Sequence, residues 1–438
     1  MRGGSGVCTE GVFSGSPSAF IEAWETRRIN SIEGAVVFCP AVRSEYMELF
    51  DKCSQFVRAK EAMQSGYYPF FLPLDDTEGC TVTLRGKELV MAGSNNYLGL
   101  TTHPKVRQAA IDAVERYGTS CTGSRFLNGT LRLHQELDSR MAEFLGKEAA
   151  VCFSTGYQAN LGAISALVGR RDVVVTDKED HASIVDGCRL SPGAMKRFRH
   201  NDMEHLSHVL NNARDAEGVL VVVDGVYSMG GDIAPLPDLV ETCKRHGARL
   251  MVDDAHGLGV LGGGHGTAAH FGLTEEVDLI MGTFSKSFAS QGGVIAGNES
   301  VVHYIQHHAR SLIFSASMPA ANVAAVLAVL DVIQAEPERV ERVWENARYM
   351  MDGFRRLGYN TGPTETPIIP VIVGDDFSTV CLWWELIERG VYTNPVLSPA
   401  VPPGAQLLRT SYMATHTRDH LDRVLEAFEH ARQAQTVA

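Results

Sequence analysis

The chain has 438 residues, 45% of them apolar and 21% charged, a composition typical of a globular protein with two or three lobes. It carries 39 basic and 52 acidic residues, a formal charge of −13. This excess of negative charge argues against nucleic acid as the main partner.

The N-terminal part of the chain has no sustained helical or alternating pattern. The first 45 residues are rich in Gly and Ser at their start, and we assign residues 1–60 to an N-terminal extension and arm. The apolar run at residues 34–42 is too short to span a membrane and lies too deep for a signal peptide. Nine cysteines without a CxxC pair indicate reduced thiols. We therefore predict a cytoplasmic protein with no transmembrane segment.

Short apolar runs alternate with helix-length segments from about residue 61 to residue 328. Runs that are apolar on both faces predict a mostly parallel sheet covered on both sides. The runs are AAVCFS (149–154), DVVVTD (172–177), GVLVVVDG (218–225), ARLMVDD (248–254), VDLIMG (277–282) and GGVIAG (292–297). From residue 329 to 438, longer helical patterns and the strand-like TPIIPVIVG predict a smaller α+β domain. The predicted fold class is therefore α/β, with a large domain at 61–328 and a small domain at 329–438.

Polar residues stand at the ends of five of these predicted strands. Ligands of open α/β sheets bind outside the carboxyl ends of the strands, so these side chains are expected to lie together. They are Gly156 with Tyr157, His181, Ser228, Asp253 with His256, and Thr283 with Ser285 and Lys286. Gly156 allows backbone N–H groups to approach an anion at a helix start. Enclosure of Lys286 at a buried strand end would favour the neutral amine, which is a nucleophile and a base.

Pyridoxal 5'-phosphate is the cofactor that requires this set of groups. It needs a lysine for its Schiff base, a carboxylate beside its pyridine nitrogen, a phosphate cradle and a planar cover for the ring. Asp253 lies in an apolar strand and needs a positive partner, which a pyridinium supplies. Asp254 must face the opposite way, because successive strand residues alternate between the two faces.

Two other interpretations use the same region of the sequence. The glycines from Gly257 to Gly262 fit a GxGxxG dinucleotide pattern. That segment neither follows a strand directly nor opens a helix, so we set it aside. A metallohydrolase built on the candidate ligands Asp253, Asp254, His256 and His181 stays open as an alternative. It gives Lys286 no role.

Several motifs together resemble those of the α-oxoamine synthases, a family of fold-type-I pyridoxal phosphate enzymes. The motifs are SNNYLGL, GSRFLNGT, STGYQAN, DHAS, VDGVYSM, VDDAHGLG and GTFSKSF, and the resemblance covers roughly residues 47–435. Members of the family condense an amino acid with an acyl thioester and release carbon dioxide. The segments RFLNGT, SKSFAS, HHARSLIFSASMP and TPIIPVIV are most similar to soluble bacterial members that use L-serine and palmitoyl thioester. The resemblance implies a fold-type-I transferase with a cofactor-binding large domain.

The resemblance also implies roles for the residues at the strand ends. Lys286 would hold the cofactor and act as the base, and His181 would stack on the ring. Asp253 would pair with the pyridine nitrogen, while His256 and Ser228 would contact the phenolic oxygen. The residues expected around the phosphate are Gly156, Tyr157, Thr283 and Ser285.

Three further residues come from the resemblance alone. Ser315 of a second subunit would complete the phosphate site, which implies a homodimer with shared active sites. Asn95 and Arg409 match positions that bind the substrate carboxylate, and the guanidinium fork of arginine suits a bidentate contact.

The substrates are expected to be L-serine and palmitoyl-CoA, and the product 3-ketodihydrosphingosine. The chain shows no carrier-protein motif, so coenzyme A is favoured over a carrier protein as the thiol. Some serine-using members have an arginine in the loop where this chain has Leu397. A member that uses glycine or alanine, like the ketobutyrate ligases or the aminooxononanoate synthases, is therefore the alternative within the family.

Overall fold

The computed structural model describes residues 49–437, and most of the predicted N-terminal extension lies outside the described residues. Two compact units are distinguished, one ending at Ala62 and one beginning at Met63. The helices are α1 Asp51–Ser54, α2 Arg58–Gln64, α3 Pro104–Tyr117, α4 Arg132–Phe144, α5 Gly156–Leu167, α6 Ala182–Leu190, α7 Met203–Asn211, α8 Leu236–His246, α9 Thr267–His270, α10 Glu299–His308, α11 Arg310–Ile313, α12 Ala320–Ala335, α13 Glu338–Arg356, α14 Asp376–Glu388 and α15 Arg418–Val437.

The strands fall into three sheets. They are β1 Asp76–Thr77, β2 Thr81–Leu84, β3 Lys87–Met91, β4 Ala149–Phe153, β5 Val173–Asp177, β6 Ala194–Phe198, β7 Val219–Asp224, β8 Arg249–Asp253, β9 Leu279–Thr283, β10 Gly293–Gly297, β11 Ile368–Ile372, β12 Val391–Tyr392, β13 Asn394–Val396 and β14 Leu407–Ser411. Two short 3-10 helices, Gly262–Gly264 and Thr274–Glu276, lie between β8 and β9.

The largest sheet has seven strands in the order β4-β10-β9-β8-β7-β5-β6. Strands β5 to β9 are parallel to one another where they pair, and β10 is antiparallel to both β4 and β9. Each predicted apolar run forms one of these strands, and the prediction of a mostly parallel sheet is confirmed. Strand β6 was not predicted, because it is an edge strand whose AMKRF sequence is largely solvent-accessible and lacks an apolar run.

Helices cover both faces of this sheet. The side chains of β7 alternate, with Val221 and Val223 in the core beneath α3, α4, α7, α8 and α12. Leu220 and Val222 point into the opposite core, which contains residues of α5, α6, α10 and α11. Burial on both faces explains why the strands read as continuous apolar runs.

A further core joins the two smaller sheets to the last three helices. One sheet has the order β1-β2-β3-β12 and the other β11-β14-β13. Val90 of β3, Phe354 of α13 and Trp383 of α14 are buried in this core. The proposed boundary at residue 328 falls inside α12, and the division into a large and a small domain stays a prediction.

The apolar helix α12 packs against α3 and α4 and buries residues on all its sides, among them Val323, Val326 and Leu330. Within residues 49–437, no single helix has both the length and the apolar composition needed to cross a membrane. Only α12 and α13 taken together, with a bend of 81° between them, meet both criteria.

Candidate active site

A cavity of about 340 Å³ lies at the carboxyl ends of the parallel strands. The residues predicted for this edge of the sheet line it together: Gly156, Tyr157, His181, Ser228, Asp253, His256, Thr283, Ser285 and Lys286. The lining also contains Asp224, Ser183 and Gln291, which the sequence analysis did not select. The chain therefore gathers the predicted chemical groups at one place.

One wall of the cavity is the start of α5. Thr155 caps this helix, its Oγ1 accepting a hydrogen bond from the Gln158 N–H at 3.1 Å. The N–H groups of the first helical turn have no acceptor within the helix and can therefore bind an anion. A Cβ on Gly156 would lie 2.6 Å from Thr283 Oγ1, so no larger residue fits. Thr283 Oγ1 also lies 2.9 Å from Ser285 Oγ. This cradle of N–H and hydroxyl groups fits a phosphate.

Lys286 lies in the hairpin between β9 and β10 and is half-buried. Burial lowers the pKa of its amine from 10.5 to about 8, although the carboxyl groups of Asp253 and Asp224 raise it. Arg409 lowers this pKa further. A substantial share of the amine is therefore neutral near physiological pH, as a nucleophile or base requires.

Asp253 ends β8 and is held by two hydrogen bonds. Its Oδ2 accepts from Asn160 Nδ2 at 2.6 Å and its Oδ1 from the Ala255 N–H at 3.0 Å. Asp254 faces away from the cavity, where the N–H and hydroxyl of Thr267 each donate to its carboxylate at 2.6 Å. The predicted opposition of the two aspartates is confirmed.

The side chain of Asn160 connects Asp253 to His181. Its amide also donates to Ser183 Oγ at 2.8 Å, and this hydroxyl lies 2.8 Å from His181 Nδ1. Burial lowers the pKa of His181, although Asp253 raises it, so the ring is neutral near pH 7. Asn160 was not among the predicted site residues, although it lies in the STGYQAN motif.

The predicted carboxylate-binding residues meet at the hydroxyl of Tyr97. This oxygen lies 3.4 Å from Asn95 Oδ1 and accepts a hydrogen bond from Arg409 Nη2 at 3.5 Å. It also lies 2.7 Å from His256 Nδ1. Burial lowers the pKa of His256 well below its usual value, and Lys286 and Arg409 lower it further. Tyr97 was missed, although it stands in SNNYLGL.

Arg409 lies in β14, outside the seven-stranded sheet, and reaches back toward the cavity. Its Nε donates to the Ser228 carbonyl oxygen at 2.6 Å. The arginine is buried, and its guanidinium is oriented by one backbone and one side-chain oxygen. This orientation suits the recognition of a small carboxylate next to the cavity.

Ser315 does not line the cavity of its own chain. Its Oγ accepts a hydrogen bond from Gln158 Nε2 at 3.0 Å, on the first turn of α5. The role expected of Ser315 in a second subunit stays a prediction.

Two buried aspartates, Asp180 and the cavity-lining Asp224, are neighbours. Asp180 accepts hydrogen bonds from the backbone N–H groups of Asp224 and Asp177, at 2.9 and 2.8 Å. Burial raises the pKa of Asp180 and of Asp224 well above the usual value, and neighbouring carboxylates raise both further. Both groups therefore hold a proton more readily than an exposed aspartate.

The alternative of a metallohydrolase lacks a suitable ligand cluster. Among residues 49–437, no group of three or more His, Cys, Asp or Glu side chains is arranged to hold a metal ion. Asp253 and His256 instead make hydrogen bonds to Asn160 and Tyr97.

Comparison with known proteins places this arrangement in a family. The sequence profile of the class I and II aminotransferases matches residues 87–428. A serine palmitoyltransferase from Bacteriovorax stolpii is 52% identical over 378 residues, which cover 86% of this chain and 90% of the relative. An 8-amino-7-oxononanoate synthase from Symbiobacterium thermophilum is 42% identical, over 83% of this chain and 94% of the relative. A solved serine palmitoyltransferase from S. paucimobilis, with a bound PLP–myriocin adduct, has a TM-score of 0.86 and 36% identity, covering 89% of this chain and all of the other.

Proposed function

This chain belongs to the class I and II aminotransferase family and, within it, to the α-oxoamine synthases, and from that premise we propose that it catalyses the serine palmitoyltransferase reaction. It joins L-serine to palmitoyl-CoA and releases carbon dioxide and free coenzyme A. The product is 3-ketodihydrosphingosine, so the reaction is the first step of sphingoid base synthesis. The observation that carries the proposal is the cavity where Lys286, Asp253 and His181 converge, in a chain 52% identical to a serine palmitoyltransferase.

The cofactor is pyridoxal 5'-phosphate, which supplies an electron sink for the carbanion at the substrate Cα. Lys286 would hold it, Asp253 would face its pyridine nitrogen and His181 would cover its ring. Its phosphate would lie at the start of α5, beside Thr283 and Ser285. His256 and Ser228 would contact its phenolic oxygen.

The remaining residues would bind the amino acid and move one proton. Arg409 and Asn95 would bind the substrate carboxylate, and the contacts of Arg409 with Ser228 and Tyr97 fix its direction. Lys286 would remove the Cα proton, for which a pKa of about 8 is well suited. Asn160 would hold the Asp253 carboxylate in place, because its side-chain amide donates to Asp253 Oδ2.

The amino acid is tested by measuring thiol release from palmitoyl-CoA with L-serine, glycine and L-alanine in parallel. We expect L-serine to react fastest, with 3-ketodihydrosphingosine identified by mass spectrometry. A site that hydrogen-bonds a substrate hydroxyl rejects analogues without it far more strongly than an apolar pocket does. Glycine or L-alanine reacting tenfold faster than L-serine would favour the other members of the family.

The assembly and location of the enzyme are also part of the proposal. We infer a homodimer in which Ser315 of one subunit completes the phosphate site of the other. We also place the enzyme in the cytoplasm. In support, the cysteines of the described residues are free thiols, as expected in a reducing compartment.

A further inference from the structure

His200 follows β6 and lies between two carboxylates from different parts of the chain. Its Nδ1 is 3.0 Å from Asp177 Oδ1, and its Nε2 is 2.9 Å from Asp232 Oδ2. An ionised carboxylate can only accept hydrogen bonds, so each ring nitrogen must carry a proton. The geometry therefore assigns a positive charge to this imidazole.

The neighbouring residue reinforces the same pair of contacts. Asn201 has a left-handed backbone with φ of 52°, a conformation that asparagine tolerates better than most residues. Its N–H donates to Asp177 Oδ2 at 2.9 Å, and its side-chain amide donates to Asp232 Oδ2 at 3.0 Å. The ring of Tyr227 packs edge-on against His200 with centroids 4.4 Å apart.

Asp232 belongs to the loop between β7 and α8. Another residue of the same loop contacts Arg409. The Asp232 carbonyl accepts a hydrogen bond from the Tyr227 N–H at 3.0 Å, which closes the turn. Within that turn, the Ser228 carbonyl accepts the hydrogen bond from Arg409 Nε. The Gly231 carbonyl accepts from Thr366 Oγ1 at 2.9 Å. The loop therefore connects the His200 cluster to the arginine beside the cavity.

We propose that His200 is a positioning residue for the amino acid: a charged imidazole that fixes residues 226–232 and, through Ser228, the direction of the Arg409 guanidinium. The inference rests on the proposed function, in which Arg409 binds the substrate carboxylate. His200 itself does not line the cavity.

The charges around His200 agree with this assignment. Burial lowers its pKa, but the hydrogen bonds to Asp177 and Asp232 and the charge of Glu179 raise the pKa to about 10. Glu179 Oε2 lies 3.9 Å from His200 Nε2. The imidazole therefore stays protonated throughout the pH range in which the enzyme would be assayed.

The first test measures L-serine binding from the absorbance change of the cofactor in the holoenzyme, without an acyl donor. His200→Gln should weaken serine binding about tenfold, because the loop and Arg409 lose their fixed position. In turnover, the KM for serine should rise by the same factor, while kcat and the KM for palmitoyl-CoA stay within about twofold. His208→Gln, on the exposed side of α7, should match the wild type. Unchanged serine binding in folded His200→Gln would overturn the inference.

A double-mutant cycle tests whether the effect acts through the arginine. In an Arg409→Gln background, His200→Gln should cause no further loss of serine binding, whereas two independent losses would contradict the inference. If His200→Gln does not fold, Asp232→Asn provides the same readout, because it removes one charge but keeps a hydrogen-bond acceptor. A holoenzyme that binds serine but does not condense it with palmitoyl-CoA would contradict the proposed function. The serine-binding measurements on the variants would still test the role of His200.

The charge of His200 can be measured separately from serine binding. In ¹⁵N-histidine NMR spectra at pH 8.5, one imidazole should remain doubly protonated in the wild type and in His208→Gln, and its signal should vanish in His200→Gln. A neutral His200 at that pH would overturn the inference even if serine binding had changed.

Discussion

Lys286 keeps its reactivity through two opposing effects on one amine. Burial favours the neutral form, and the nearby carboxyl groups of Asp253 and Asp224 favour the charged form. The result is a pKa of about 8, between that of a free lysine and that of a fully desolvated one. This balance lets the amine exchange protons near neutral pH.

Capture of the cofactor by the apo-protein should therefore depend on pH through Lys286. The neutral amine is the nucleophile, so the rate of pyridoxal phosphate binding should rise with pH and level off above about 8. Stopped-flow absorbance measures this rate. Borohydride reduction should then label Lys286 with a pyridoxyl group, and Lys286→Ala should lose the label. A midpoint near 10.5, the usual value for lysine, would contradict the assignment.

Asn160 should be required for tight cofactor binding. Asn160→Ala removes the hydrogen bond to Asp253, and a hydrogen bond to a charged group contributes about 1.5–3 kcal/mol. We therefore expect cofactor affinity to fall by at least about tenfold in an equilibrium titration. Asn211→Ala, at the exposed end of α7, is the matched control. Equal affinities in wild type and Asn160→Ala would exclude this role.

At the level of single residues, the sequence predicts the reactive side chains better than the side chains that hold them in place. Lys286, Asp253 and His256 were selected because reactive side chains at strand ends are unusual, and the structure brings them to one cavity. Asn160 and Tyr97 were missed because neutral polar residues inside a motif give no signal of their own. Their importance depends on which atoms they contact after folding.

Among the elements, the end of β5 and the loops after β6 and β7 bring several charged side chains together. His200, after β6, binds Asp177 at the end of β5 and Asp232 in the loop after β7. The sequence analysis missed β6 because charged residues interrupt it. An apolar-run criterion finds strands buried on both faces and overlooks edge strands.

The stability of the protein should depend on the protonation of His200. Its folded-state pKa, about 10, lies above the unfolded value of 6.5, so its contribution is complete below pH 6.5. That contribution is lost as the pH rises toward 10. Urea unfolding should show wild-type stability falling over this range by about 4 kcal/mol more than that of His200→Gln. Parallel curves for the two proteins would contradict the prediction.

For the whole molecule, the proposed homodimer makes a prediction about mixed subunits. Lys286→Ala removes the reactive amine, and Ser315→Asp places a negative charge where the partner's phosphate would lie. Each homodimer should be inactive. Co-expressed heterodimers should regain activity, because one of their two sites combines an intact Lys286 with an intact Ser315.

The mixing experiment has a clear opposite outcome. If Ser315 served only its own subunit, no site in the heterodimer would be intact and activity would stay absent. Full activity of the wild type as a monomer, measured by light scattering under assay conditions, would also contradict the dimer.

Arg409 extends from β14 toward the cavity, while Tyr97 and Ser228 hold its guanidinium from two much earlier parts of the chain. The cavity, by contrast, is lined by residues between Thr155 and Gly292. A growing polypeptide therefore contains every residue that lines the cavity long before it contains Arg409, the residue proposed to bind the substrate carboxylate. If Arg409 binds the substrate as proposed, changes around β13 and β14 would alter the amino acid that is accepted and leave the residues of the cofactor cavity unchanged.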